Sequence, residues 1–254
     1  MSDRIVRTMP RPGVALLTMD RPEKLNAMDP QFFAELVAVM ADLSADKEVR
    51  AAVITGAGRA FSAGGDIDSF HRIAAGGDTD DVRRHNRSVY DAFCALERCT
   101  KPVIGAVNGI AYGGGAELTL ACDIAVAGTS ARFAFREVSI GLTPGWGIVR
   151  GPQVLGRQWT NLLVSTGRII DADTARTAGF VVDVVPDADL VDAALDIAAE
   201  IAQHPSVAVQ VGKAFLHRDT HDGFAESVEA VTLLWGTAEH RAAVDGFRSR
   251  RRRT

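Results

Sequence analysis

The chain has 254 residues, 47% of them hydrophobic and 24% charged, with a formal net charge of −4. That is enough apolar material for a full core and too even a composition for a fibrous or disordered protein. The small negative balance gives no electrostatic ground for binding nucleic acid or a membrane surface. The opening segment MSDRIVRTMPRPG has no apolar leader run, and no stretch reaches the roughly 18 apolar residues of a membrane span, so a soluble, cytoplasmic protein is expected. Cys94, Cys99 and Cys122 are odd in number, lack a CxxC partner and lie in apolar or helical surroundings, which suits buried thiols in a reducing compartment. His217 and His221 have i,i+4 spacing, but there is no HEXXH and no carboxylate to complete a zinc site, so no metal is expected.

In chain order, residues 13–19 (GVALLTM) read as a short strand, followed by an irregular turn, DRPEKLNAM. Asp29 and Pro30 have the N-cap and first-turn chemistry of a helix whose inward face carries Phe33, Leu36, Val37 and Met40. Residues 49–55 form the next strand, and GAGRAFSAGGDIDSF then offers Gly64 and Gly65 with Asp66 at a helix start. Residues 71–80 have turn composition and are expected to be a loop beside the site. Residues 81–98 read as an amphipathic helix with Val82, Val89, Phe93 and Leu96 inward.

The central stretch runs from Pro102 to Asp123, PVIGAVNGIAYGGGAELTLACD. Its β-branched start is a buried strand ending at Asn108-Gly109, and Gly113, Gly114 and Gly115 open a helix of good helix formers. The first amides of a helix lack partners within it and sit at the positive end of the dipole, so this start favours negative charge. Glu117 lies three residues after Gly114, which places its carboxylate on the same side as that amide. One turn thus supplies a candidate oxyanion donor and a candidate base. A glutamate in a first turn ordinarily serves the helix dipole or a capping box, so chemistry needs support from elsewhere. No GxGxxG follows a strand and no GxxxxGK[ST] occurs, which removes the nucleotide-binding alternatives.

Beyond Asp123, DIAVAG and residues 132–135 read as strands, with Glu137 just past the second. Helices are expected at 158–165 and 171–178, a strand at 180–185, and, after Pro186, helices at 190–203, 206–217, 223–235 and 240–247. Arg248 and Arg250 to Arg253 read as a solvated, frayed tail.

Five segments in this order, DRPEKLNAM, AVITGAGRAFSAGGDI, KPVIGAVNGIAYGGGAEL, CDIAVAG and FREVSIGLTPGWG, resemble the enoyl-CoA hydratase/isomerase family, also called the crotonase superfamily, over nearly the whole chain. The resemblance implies an α/β fold, a crotonase-like spiral of ββα units, followed by a helical C-terminal region. It divides the chain into a core at 1–186, carrying the CoA and active sites, and a trimerisation region with a basic tail at 187–254. Glu137 follows Glu117 by 20 residues, matching the spacing of the family's two catalytic glutamates. By the same resemblance Gly65 and Gly114 supply the oxyanion amides. Lys24, Leu25, Ala63, Gly65, Asp66, Ile67 and Gly114 fall at substrate (CoA)-binding positions, and Trp146 stands in the acyl pocket. Arg136, where a proline is frequent, and Ile148-Val149-Arg150, in place of G-T-Q-R, depart from common hydratases and bear on the acyl-chain preference.

The implied activity is hydration of a 2-trans-enoyl-CoA to a 3-hydroxyacyl-CoA. Coenzyme A arrives on the acyl-CoA substrate and no separate cofactor is needed. A homotrimer or dimer of trimers is the implied assembly. A Δ3,Δ2-enoyl-CoA isomerase, another acyl-CoA reaction of the family and a non-catalytic acyl-CoA binding protein are the alternatives.

Overall fold

The computed structural model describes residues 3–75, 78–217 and 224–251. The N-terminal part contains β1 (Ile5–Arg11), β2 (Val14–Met19), α1 (Pro30–Ala45), β3 (Ala51–Gly56), β4 (Ala60–Ser62), α2 (Ile67–Ala75) and α3 (Thr79–Arg98). The middle contains β5 (Val103–Val107), β6 (Ile110–Tyr112), α4 (Gly114–Ala121), β7 (Ile124–Gly128), β8 (Arg132–Ala134), α5 (Gly147–Val154) and α6 (Gly156–Thr166). The chain continues through β9 (Ile170–Asp171), α7 (Ala172–Ala178), β10 (Asp183–Val185), α8 (Leu190–Ala202), α9 (Ser206–Leu216), α10 (Phe224–Trp235) and α11 (Ala238–Arg251).

A six-stranded sheet has the order β1-β2-β3-β5-β7-β10, and a four-stranded sheet the order β4-β6-β8-β9. The pairs β3/β4, β5/β6 and β7/β8 each send their first strand to the large sheet and their second to the small one, and helices follow each pair. This is the expected spiral of ββα units. All neighbours in the large sheet are parallel except β1 with β2. β3 and β5 are buried along their whole length, as continuous apolar strands covered on both faces must be. One core fills the space between the sheets and α1, α3 and α4. A second lies on the far face of the large sheet, where α8 packs Leu190, Ala194, Leu195 and Ala198 against β3, β5 and β7. The division expected at Pro186 thus falls between β10 and a helix that rests on the same sheet.

Several local expectations change. β1 carries no strand signature in the sequence, because Pro10 and an almost wholly exposed face disguise it; both are tolerated on an antiparallel edge. α1 is capped as expected, with the Asp29 side chain accepting from Phe32 N at 2.9 Å, but Val37 is 39% exposed and Phe32 and Leu43 complete the inward face. Residues 71–75 are not loop: they are the second half of α2, whose Phe70 and Ile73 pack with Val231 and Trp235. Tertiary burial there overrides local composition; residues 76–77 lie outside the described chain, and Asp78 caps α3, to which Thr79 and Asp80 already belong.

β6 is three residues long and α5 contains Pro152, so neither carries a periodic signature. α11 runs to Arg251, so the basic stretch is helical to that point rather than frayed, and residues 252–254 lie outside the described chain. His221 also lies outside it, as do residues 219–222, the expected break before α10. The three cysteines are buried and none is in a disulfide.

Candidate active site

The start of α4 is built around Gly113. Its φ of 52° and ψ of −123° suit glycine, its N–H donates to Ala134 O at 2.8 Å, and a Cβ there would stand 2.8 Å from Glu137 Oε1. Gly113 thus ties α4 to β8 and leaves room for the carboxyl beyond β8. Gly114 is the first residue of α4, and its N–H belongs to the unpartnered first turn. Glu117, 6% exposed, lies one turn along. Its Oε1 accepts from Trp146 N at 2.8 Å and Gly147 N at 2.9 Å, the amides that open α5. The Glu117 carboxylate is therefore held by the N-terminus of another helix, a partner that sequence spacing does not disclose.

Gly65 approaches from the preceding ββα unit. Met28 N donates to Gly64 O and Asp66 N to Met28 O, each at 2.8 Å, so the amide of Gly65 between them points away from that pairing. A Cβ on Gly64 would lie 3.2 Å from Gly114 N, and one on Gly114 would lie 3.7 Å from Gly65 N. The two glycine segments are in contact, which brings the two candidate donors side by side.

The carboxyls of Glu117 and Glu137 are both shifted toward the neutral form. Burial pushes Glu117 up to about 7, opposed by its two amide hydrogen bonds. Glu137 is pushed well above the ordinary carboxylate range, by burial and then by the charge of Glu117. Glu137 Oε2 is buried with no hydrogen-bond partner among the described residues. Such a pair resists double ionisation, and the amide-held Glu117 is the member that ionises first.

Both glutamates line a cavity of about 960 Å³. Leu25, Ala63, Gly65, Ile67, Gly114 and Trp146 line it too, so most of the residues singled out in the sequence converge there. Lys24 and Asp66 do not. Lys24 Nζ pairs with Asp68 at 3.0 Å, and buried Asp66 pairs with Arg21 at 2.6 Å while accepting from Ser69 N at 3.0 Å to cap α2.

Trp146 forms part of the cavity wall, in edge contact with Phe93 at 5.5 Å. Arg150 lies over its ring at 5.7 Å and pairs with Glu97 of α3, both nearly buried. The departures at Trp146 and Arg150 thus anchor α5 to α3. Arg136 lines the cavity beside Glu137 and donates to Gly167 O at 2.8 Å.

Sequence reasoning did not single out His85 and Tyr90 of α3, or Val228, Val231 and Trp235 of α10, as cavity residues. Helical periodicity could mark Val89 and Phe93 as inward, but it does not distinguish a core face from a cavity wall. Among the described residues no cluster of three or more His, Cys, Asp or Glu side chains could hold a metal ion, and no helix is long and apolar enough to cross a membrane.

A sequence profile described as enoyl-CoA hydratase/isomerase matches residues 10–251. The short-chain-enoyl-CoA hydratase of Clostridium acetobutylicum is 35% identical over 245 residues, covering 94% of this chain and 92% of that protein. The mitochondrial Delta(3,5)-Delta(2,4)-dienoyl-CoA isomerase of Homo sapiens is 40% identical over 223 residues, covering 84% and 68%. Among solved structures, an enoyl-CoA hydratase/isomerase from Mycobacterium paratuberculosis superposes with a TM-score of 0.88 at 29% identity, covering 97% of this chain and 99% of that one.

Proposed function

The chain belongs to the enoyl-CoA hydratase/isomerase family, and from that membership we propose that it adds water across the 2,3 double bond of a 2-trans-enoyl-CoA to give a 3-hydroxyacyl-CoA. The observation that carries this reading is that Glu117 and Glu137, two carboxyls in unlike environments, line one cavity together with Gly65 and Gly114.

The thioester oxygen accepts from the two amides, which stabilise the negative charge that develops there in the transition state. Ionised Glu117 takes a proton from water as its oxygen bonds to C3, and protonated Glu137 gives its proton to C2. A later proton transfer through solvent from Glu117 to Glu137 restores both groups. Leu25, Ala63 and Ile67 hold the CoA moiety. Lys24 assists through its partly exposed ammonium, and Asp66 acts only through Arg21 and the α2 cap. The reaction is redox-neutral and draws on no cofactor beyond the coenzyme A of the substrate.

The 40% identity to a dienoyl-CoA isomerase favours a second reading, double-bond migration, in which one glutamate shuttles a proton and no water is added. Incubation with a panel of 2-enoyl-CoA thioesters separates the two. Hydration gives a mass gain of one water and loss of conjugated absorbance; migration leaves the mass unchanged. Absence of any water adduct across the panel would sink the hydratase reading.

A further inference from the structure

One end of the cavity closes on a cage of rings contributed by α1, α2, α3 and α10. His85 lies in edge contact with Phe33, Phe70 and Trp235, at ring distances of 6.0, 5.4 and 5.8 Å. Phe70 reaches from this cage to the candidate oxyanion position, since a Cβ on Gly65 would meet its Cζ at 2.1 Å. The cage therefore begins one ring away from the place where the thioester oxygen would bind.

Two polar atoms in the cage have no partner. His85 Nδ1 and Trp235 Nε1 are buried without a hydrogen bond among the described residues, on side chains only 6% and 4% exposed that both line the cavity. Leaving a buried polar group unpaired is costly, and most such groups in folded proteins find a partner. Apolar rings of the same size would close a purely hydrocarbon pocket without that cost.

We propose that His85 and Trp235 form a subsite for a hydroxyl group carried on the acyl chain, so that the enzyme takes hydroxylated acyl-CoA thioesters in preference to plain alkyl ones. The match is in the donor and acceptor count. The indole Nε1–H only donates, whereas an imidazole nitrogen without a proton accepts, and a single hydroxyl answers both. Burial pushes the His85 imidazole down to about 4, so it is neutral at physiological pH and has such a nitrogen. The same neutrality disfavours a carboxylate at this point, because none of the four rings of the cage carries a positive charge to pair with it. Asn86, the next residue on α3, is tied to Thr232 Oγ1 at 3.0 Å and links α3 to α10 beside the cage. Phe70 touches both rings edge-on, at 5.4 Å from His85 and 4.9 Å from Trp235, and so connects the pair to Gly65.

This inference rests on the acyl-CoA reading above, and its test does not depend on turnover. Saturated acyl-CoAs of increasing length, each paired with its terminally hydroxylated counterpart, are titrated into the full-length protein by calorimetry. At one chain length the hydroxylated ligand should bind roughly tenfold more tightly, the return from two hydrogen bonds at ordinary net strength. His85→Phe and Trp235→Phe, which keep an aromatic ring but remove the polar nitrogen, should each reduce that preference severalfold. Equal or weaker binding of the hydroxylated ligand at every length in the unaltered protein overturns the subsite, and this arm needs no variant to fold. Preference retained in both variants also overturns it. If no acyl-CoA of either kind binds, the acyl-CoA reading fails and the subsite fails with it.

Discussion

Gly113 and Glu137 face each other so closely that a Cβ on the glycine would lie 2.8 Å from the Glu137 carboxyl oxygen. The glycine whose left-handed backbone opens α4 is thus also the one that makes room for the second carboxyl. Gly113→Ala should cost on the order of 1–2 kcal/mol of stability for the positive φ and lower kcat well beyond that through displacement of Glu137. Steady-state kinetics beside urea unfolding check this, and a variant that loses stability but keeps kcat would separate Glu137 from the chemistry.

Glu117→Gln and Glu137→Gln should each lower kcat by roughly 10² to 10⁴, the range for loss of a general acid or base, with folding preserved. Wild-type hydration in either variant contradicts the two-glutamate mechanism. If only Glu137→Gln is inactive, the migration reading gains.

The two carboxyls also predict a pH profile. Activity should rise as Glu117 ionises at about 7 and fall at higher pH as Glu137 loses its proton, with both apparent values belonging to the pair. Stability follows with the opposite slope on the acid side. Folded Glu117 holds its proton up to about 7, whereas an unfolded glutamate titrates near about 4.3. Its stabilisation is complete below the unfolded value and is lost as pH rises through the folded one, on the order of 3 kcal/mol in all. Urea unfolding at about pH 5 and about pH 8 should show this loss in the wild type and a smaller one in Glu117→Gln.

Gly114→Pro removes an amide donor while keeping a residue tolerated in a first helical turn. The Met28 Cε that an added Cβ would meet at 2.6 Å is the free end of a flexible side chain and can move aside. Turnover should fall roughly 10² to 10³, mainly in kcat. A folded variant with unchanged kcat would falsify the oxyanion role.

Assembly is open to the same kind of test. Val207, Val211 and Phe215 follow one another at helical spacing on α9 and are 74%, 51% and 59% exposed. A stripe of this kind fits the proposed homotrimer or dimer of trimers. Light scattering at micromolar concentration should give a trimer or hexamer, and Val211→Glu should reduce its mass; a monomeric wild type contradicts the assembly.

Legible in the chain alone are the strands at 49–55 and 102–107, the Asp29 cap and the glycine-rich start of α4 with Glu117 in its first turn, whereas the ββα spiral and the role expected of Glu137 come from the family resemblance. The first group rests on local chemistry: β-branched runs, side-chain caps and glycines at helix starts act over a few residues and are visible in the chain. Contacts made in the fold establish that Trp146 N and Gly147 N hold Glu117, that Asp66 serves Arg21 and the α2 cap rather than the cavity, and that Ala74 and Ala75 end a helix instead of lying in a loop. They also establish that α10 brings Trp235 to His85. Each of these depends on contacts between residues far apart in the chain. Whether an inward side chain meets a packed core, a carboxylate or an open cavity is set by what the other elements place opposite it, and helical or strand periodicity has no term for that.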